Sequence, residues 1–550
     1  MPRSSPTRHH RARLIAAVLV FVGTLALTAC SGLFTTASAS DGSSSNPGIQ
    51  ISSLRPKQTP ALKPYYAQTV HWAPCRRGDL CATVNAPVDW QHITSASITL
   101  ALVEHPASKS SRGDLVVNPG GPGGSGVDFV EGGVDGVVDS AIANDYNIIG
   151  FDPRGVGAST PVTCYDAAGT DSYIYGIDPG AIGSAVWIAA EKKKSRKLAA
   201  ACEKNTGPVL GHVDTINAAA DMDVIRSALG DEKLNFLGYS YGTYLGTIYA
   251  GLFPTRVGKM VLDGAYDPWG ADYSPSDSSD TSDDFAVDPT DDSAVAQAVG
   301  FEDALSNYLS SCLSNASATV GDLRCPFLTS LSNAKDRVAG FLSAAAKHPL
   351  VGSDGRLMGA ASMATAIDDA LYDPTDWPDL TRMFVQLQDG NPSVAFEFAD
   401  DYNDRNSDGS YDDNADLAHL AIGCLEEGPS VDLKFDRREA TELRKLAPIL
   451  GIYSAYGDLV CSGWPFGPSV FPNPVHADGT GPILVLGTTG DPATPYADAK
   501  NLAQQLDRGY LVTFHGQGHT AYDRGDECID GTVDNYLLKG TVPFDDPECH

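Results

Sequence analysis

The chain is short of positive charge. Its 550 residues include 38 Lys and Arg against 69 Asp and Glu, a formal net charge of −31. A surface that acidic repels a phosphate backbone, which excludes nucleic acid as a partner. Long apolar runs are equally scarce: none follows the first, near the N-terminus, so a multi-span membrane protein is excluded. No period of the collagen or coiled-coil kind runs through the chain. C-x-x-C and paired-histidine spacings are missing as well, which argues against a zinc site. What remains, 42% hydrophobic and 19% charged residues, belongs to a folded chain with a sizeable core. Length alone suggests three or four domains, although one elaborated enzyme core also reaches this size.

The N-terminus has the form of an export signal. Residues 1–13 contain four Arg and no acid, an apolar run covers Leu14 to Leu27, and Leu27-Thr28-Ala29-Cys30 follows. Residues 1–29 therefore read as a signal peptide, and the ending resembles a bacterial lipobox whose Cys30 becomes the lipidated first residue. The leader has no adjacent Arg pair, which favours the general export route. Residues 30–63, rich in Ser, Thr, Gly and Pro, read as a flexible tether from a membrane. Ten further cysteines remain, an even number in an exported chain, and point to disulfides. Neighbour-to-neighbour pairing is expected: Cys75 with Cys81, Cys164 with Cys202, Cys312 with Cys325, Cys424 with Cys461, and Cys528 with Cys549.

Past the tether, short apolar runs alternate with helical patterns. Strands are expected at Ile98–Val103, Leu115–Asn118, Tyr146–Phe151, Leu234–Leu237, Lys259–Leu262, Pro482–Leu486 and Tyr510–Phe514. Helical spacing occupies Ala218–Leu229, stopped by Gly230, and Ala497–Leu506. That rhythm implies an α/β fold with a mostly parallel central sheet and helices on both faces. Between residues 271 and 478 it breaks. This segment opens with Asp272–Asp292, which contains eight Asp and reads as a solvated loop. Helical patterns follow at Phe301–Leu313, Leu331–Ala346, Met363–Tyr372 and Asp379–Leu387, so the segment reads as a helical cap inserted into the sheet. The core is then expected in two parts, residues 64–270 and 479–550.

The strongest chemical signal is Gly238-Tyr239-Ser240-Tyr241-Gly242, directly after a buried strand and directly before a helix. The glycines permit the tight turn that lifts Ser240 above the sheet, and the helix offers N–H groups to a developing oxyanion. A serine hydroxyl needs a base, and the base needs an orienting acid. Asp491, in the loop after the Pro482 strand, fits the acid. His519, in Gly516-Gln517-Gly518-His519 after the next strand, fits the base. Asp498 is the rival acid but lies within a helical stretch. His515 is the rival base but abuts its strand without a glycine before it. The backbone N–H of Tyr241 is one expected oxyanion donor, and Gly121 in Pro119-Gly120-Gly121-Pro122-Gly123-Gly124 supplies the other. A phosphate cradle is disfavoured, because no Lys-Ser/Thr follows those glycines.

Taken with Asn118–Gly126, Phe151-Asp152-Pro153-Arg154-Gly155-Val156-Gly157-Ala158-Ser159 and Gly238–Gly246, these motifs resemble the secreted tripeptidyl aminopeptidases. Those belong to the proline iminopeptidase-like branch of the α/β-hydrolases, and the resemblance extends from about residue 65 to the C-terminus. It implies a cofactor-free serine exopeptidase that removes short peptides, typically tripeptides, from free N-termini beneath a helical cap. It also implies that Ser240, Asp491 and His519 act together, with Gly121 and Tyr241 as oxyanion donors. Cap carboxylates in that branch hold the substrate ammonium, and Glu426 in Ala421-Ile422-Gly423-Cys424-Leu425-Glu426-Glu427 is the nearest match.

Three other features have plainer readings. Arg154 is expected to fix its loop. Asp404-x-Asn406-x-Asp408-Gly409-x-x-Asp412 has calcium-loop spacing, yet Ala415 stands where an EF-hand needs Glu, so a polar turn is expected. Cys528 and Cys549 are expected to staple the last helix. Two other functions fit the same chain: an esterase or lactonase of the same fold, and a non-catalytic solute-binding lipoprotein.

Overall fold

The computed structural model describes residues 49–57, 59–93, 96–269, 293–314, 324–327, 330–470 and 472–550. The leader, Cys30 and the stretch Asp272–Asp292 lie outside the described residues. In chain order the strands are β1 (Ala73–Pro74), β2 (Leu80–Pro87), β3 (Ser97–His105), β4 (Asp114–Asn118), β5 (Asn147–Phe151), β6 (Leu234–Tyr239) and β7 (Val257–Asp263). A small hairpin, β8 (Leu350–Val351) and β9 (Leu357–Met358), precedes β10 (Ile483–Gly490), β11 (Gly509–Gln517) and β12 (Glu548–Cys549). All but the hairpin join one sheet in the order β1-β2-β3-β5-β4-β6-β7-β10-β11-β12. Neighbours from β5 onward pair in parallel, while β1, β2 and β3 pair antiparallel.

Period-two alternation divides the strand side chains between two cores. Val116, Phe236, Met260 and Val485 face one, with helices Thr215–Leu229 and Tyr241–Leu252. Leu115, Leu237, Val261 and Leu484 face the other, with helix Glu527–Lys539. Both faces being covered explains why these strands read as continuous apolar runs. Helix Thr215–Leu229 starts three residues before the sequence pattern suggests, because the Asp214 carboxylate accepts the Asn217 N–H and caps it. β2 is not legible in the sequence, since Asn85 and Pro87 obscure its alternation.

The expected cap helices all form, within Ser293–Ser314, Leu331–Lys347, Ala360–Tyr372 and Trp377–Gln388, and Ser393–Tyr402 joins them. Leu305, Val338, Met363, Ile367 and Phe384 give this bundle its own core. Its boundaries differ from the linear reading in two ways. Helix Ala415–Glu427 buries Leu420 and Ala421 in the sheet's core, together with Cys461, Trp464 and Val475. Conversely Tyr175 and Ile188, which precede β6, pack into the cap's clusters. The tether also needs correcting: its described part, residues 49–57 and 59–63, is held on the body. Leu62 is buried, Ile51 and Leu54 pack on the main core, and the Arg55 Nε donates to the Leu252 carbonyl. Apolar side chains hidden among Ser, Thr and Pro explain the difference.

The five disulfides join each cysteine to its expected neighbour. Among the described residues no helix is long and apolar enough to cross a membrane.

Arg154 is fully buried. Its Nε and Nη2 donate to Asp221 at 2.7 and 2.6 Å, and its remaining N–H groups reach the carbonyls of Pro87, Val88 and His212. The Trp90 indole donates to the same carboxylate at 2.9 Å. Arg154 thus fixes its loop, as expected. Removing one partner of such a pair strands a charge in the core. Asp221→Ala is expected to destabilise the fold by about 3–5 kcal/mol in urea or thermal denaturation.

Candidate active site

Ser240 occupies a sharp turn between β6 and its helix, with φ +54° and 1% exposure. The flanking glycines are required by space. A Cβ on Gly238 would lie 2.4 Å from the Gly242 carbonyl oxygen, and one on Gly242 would lie 2.8 Å from Asn118 Oδ1. The Ser240 N–H donates to the backbone oxygen of Asp263 at 2.9 Å, tying the turn to the end of β7.

His519 follows β11. Its Nδ1 lies 2.9 Å from both carboxylate oxygens of Asp491, in the loop after β10. Asp491 is itself caged by the N–H groups of Ala493, Thr494 and Thr520 at 2.9, 2.9 and 3.2 Å. With Nδ1 facing a carboxylate, the proton of a neutral ring belongs on that nitrogen. Nε2 is then the acceptor, and it is buried without a hydrogen-bond partner. Gly264 leaves room for the ring: a Cβ there would stand 3.0 Å from His519 Cε1.

The two rival residues are placed elsewhere. His515 lies in β11, paired with Glu548 and stacked on His550 at 4.5 Å. Asp498 is buried in helix Tyr496–Gln505, where desolvation and Asp267 hold its carboxyl well above the ordinary range. The Gly-rich loop after β4 rests on the serine turn. A Cβ on Gly120 would come within 2.5 Å of the Tyr239 oxygen and 3.0 Å of the Tyr241 nitrogen. Asn118 Oδ1 accepts the Gly120 N–H at 3.1 Å and holds that loop down. Gly121, next in line, has φ +109°, and Tyr241 heads its helix.

A family model described as TAP-like protein matches residues 447–549. The tripeptidyl aminopeptidase of Streptomyces lividans is 31% identical over 482 residues, covering 85% of this chain and 83% of that protein. The chain belongs to the tripeptidyl aminopeptidase-like α/β-hydrolases. Serine protease Hip1 of Mycobacterium tuberculosis is 35% identical over 501 residues, covering 88% of this chain and 92% of that protein. Carboxylesterase B of the same species is 34% identical over 507 residues, covering 90% and 92%. The chain is a serine hydrolase, a peptidase by the first two of these relatives.

Three residues of this aminopeptidase-like site escape sequence reading. Asp263 is the first. Its backbone oxygen holds Ser240, and its carboxylate accepts the Ala521 and Tyr522 N–H groups at 3.0 and 2.8 Å. Burial pushes this carboxyl up to about 6. Asp263-Gly264 at a strand end was visible in the sequence, but nothing there links it to residue 521. Tyr372 of the cap is the second: its carbonyl accepts the His519 N–H at 2.8 Å, and its ring meets the imidazole edge-on at 5.5 Å. Thr215 is the third. Its hydroxyl contacts both Glu426 and the Tyr241 phenol, and its N–H donates to Glu426 at 3.2 Å. Glu426 is thereby joined to the residue after Ser240. Burial, with Asp214 nearby, pushes the Glu426 carboxyl up to about 7.

Two outcomes follow from these contacts. Asp263→Ala releases the histidine loop from the serine turn, and displacements of about 1 Å cost near 10²-fold. Fluorophosphonate labelling of Ser240 should slow by roughly that factor while the far-UV circular dichroism is unchanged. The raised carboxyls also set a pH trend. Asp152 and Asp263 sit near 6 and Glu426 near 7 when folded, against about 4 unfolded. Between those limits the folded state binds more protons, so stability falls as pH rises. The melting temperature should be higher at about pH 5.5 than at about pH 8.

Proposed function

We propose that Ser240, His519 and Asp491 form a catalytic triad that releases short peptides, tripeptides by family resemblance, from free N-termini outside the cytoplasm. The observation that supports this best is the buried imidazole of His519. Asp491 occupies its Nδ1, and Nε2 is buried without a hydrogen-bond partner. Ser240 Oγ adds to the scissile carbonyl carbon as its proton passes to Nε2. The carbonyl electrons move to oxygen, where the N–H groups of Gly121 and Tyr241 stabilise the negative charge. Collapse breaks the C–N bond, and His519 returns the proton to the leaving amine. Water, deprotonated by the same nitrogen, then hydrolyses the acyl-enzyme and restores Ser240. Asp491 remains ionised and stabilises the imidazolium.

Glu426 receives the substrate's α-ammonium in this reading, one residue's reach from the serine turn through Thr215 and Tyr241. The basic leader, the lipobox-like ending at Cys30 and the five disulfides support export and attachment to a membrane. The relative named carboxylesterase B favours a second reading, ester hydrolysis by the same three residues.

A tripeptide anilide with a free amino end, its N-acetyl twin and a short ester separate the two. The peptidase predicts kcat/KM at least about 10²-fold higher for the free amine than for the acetylated twin. Equal rates on both, or preference for the ester, would overturn it. Ser240→Ala should abolish all hydrolysis. Glu426→Gln should raise KM for the free-amine substrate alone.

A further inference from the structure

Helix Ala415–Glu427 packs into the sheet's core and also lies against the Gly-rich loop that follows β4. A Cβ on Gly123 would come 2.4 Å from the Ala415 carbonyl oxygen and 3.0 Å from the His419 nitrogen, so helix and loop touch backbone to backbone. The His419 side chain is 5% exposed, and its Nδ1 lies 3.1 Å from the Pro122 carbonyl oxygen. A carbonyl oxygen can only accept, so Nδ1 carries the hydrogen and donates it. About two turns further along the same helix face, Glu426 contacts Thr215, whose hydroxyl also contacts the Tyr241 phenol. One face of one helix therefore reaches the residue after Gly121 directly and Tyr241 through Thr215.

We propose that His419 is a positioning residue for the oxyanion hole: its Nδ1–H holds the Pro122 carbonyl and thereby fixes the direction of the Gly121 N–H. The inference rests on the triad reading above, in which Gly121 and Tyr241 donate to the developing charge. With glycine at positions 120, 121, 123 and 124, the loop has little stiffness of its own and must be held from outside. Two other bonds brace it: the Gly124 N–H donates to the Gly120 oxygen at 3.2 Å, and Asn118 Oδ1 accepts the Gly120 N–H at 3.1 Å. Both end on residues 118, 120 or 124. The His419 bond is made to the residue directly after Gly121.

The helix is a firm place from which to hold a loop. Leu420, Ala421 and Cys424 are buried in the main core, and Cys424 is bonded to Cys461. A donor carried on such an element keeps its position, whereas one carried on a second loop would drift with it. An oxyanion donor works by standing in place before charge develops, and it serves the tetrahedral oxygen rather than the ground-state carbonyl. Loosening it therefore costs the chemical step and spares ground-state binding. His419 passes no proton and touches no reacting atom here; it acts through Pro122 alone.

Inactivation of the full chain by a fluorophosphonate tests this, because the phosphonyl oxygen takes the oxyanion's place and the reagent presumes no particular substrate. His419→Leu should lower the limiting inactivation rate on the order of 10²-fold and leave the half-saturating reagent concentration unchanged. His419→Asn, whose amide nitrogen stands where Nδ1 stood, should recover most of that loss. His419→Ala serves where the leucine variant does not fold, as judged by its melting curve. A folded leucine or alanine variant that reacts at the parent rate would overturn the proposal. So would a loss confined to the half-saturating concentration, or a loss as large in the asparagine variant as in the leucine one. A parent that reacts no differently from Ser240→Ala would instead overturn the triad reading, and the proposal would fall with it.

Discussion

The carboxyl end of β7 is the point on which the candidate chemistry depends. Asp263 presents its carbonyl to the serine turn on one side and its carboxylate to the residues just past His519 on the other. Gly264, immediately after it, vacates the volume the imidazole needs. Ser240 and His519 come from segments nearly 280 positions apart along the chain, so chain connectivity alone does nothing to bring them together. Parallel registration of β6, β7, β10 and β11 puts the loops that follow them at one end of the sheet, and one buried carboxylate fastens the serine turn and the His519 loop to a shared post. In the proposed mechanism, rigid placement of this kind is what would make a weak hydroxyl and an imidazole act as a pair.

An excess of acid creates a problem that the fold answers in two ways. Arg154 and Asp221 show the familiar one, an ion pair whose every polar atom is matched. Asp491, Asp263 and Asp152 use the other, in which two or three backbone N–H groups converge on a carboxylate with no cation beside it. Backbone donors leave no side-chain charge in the site to compete with a substrate.

The sheet, the serine turn and the order serine, acid, histidine were legible because each rests on local pattern: an apolar run, a glycine pair, a strand followed by a polar loop. Preference for His519 over His515 and for Asp491 over Asp498 came from loop position, and the hydrogen bonds of Asp491 bear on just that choice. The disulfide partners were legible from adjacency. What escaped depends on three-dimensional contact. Asp263 reaches residues 521 and 522, Thr215 joins Glu426 to Tyr241, and helix Ala415–Glu427 packs into the sheet's core although the chain enters it from the cap. Residues 49–63 looked like tether because composition averages conceal single buried side chains such as Leu62.

The amide of His519 is held by the carbonyl of Tyr372, the last residue of a cap helix, and Arg524 spans from Asp373 to the His519 carbonyl. The cap helix and the His519 loop therefore form one mechanical linkage, so in the proposed mechanism the roof and the proton shuttle move together. A hinge motion wide enough to admit a folded protein would pull the imidazole's support away at the same moment.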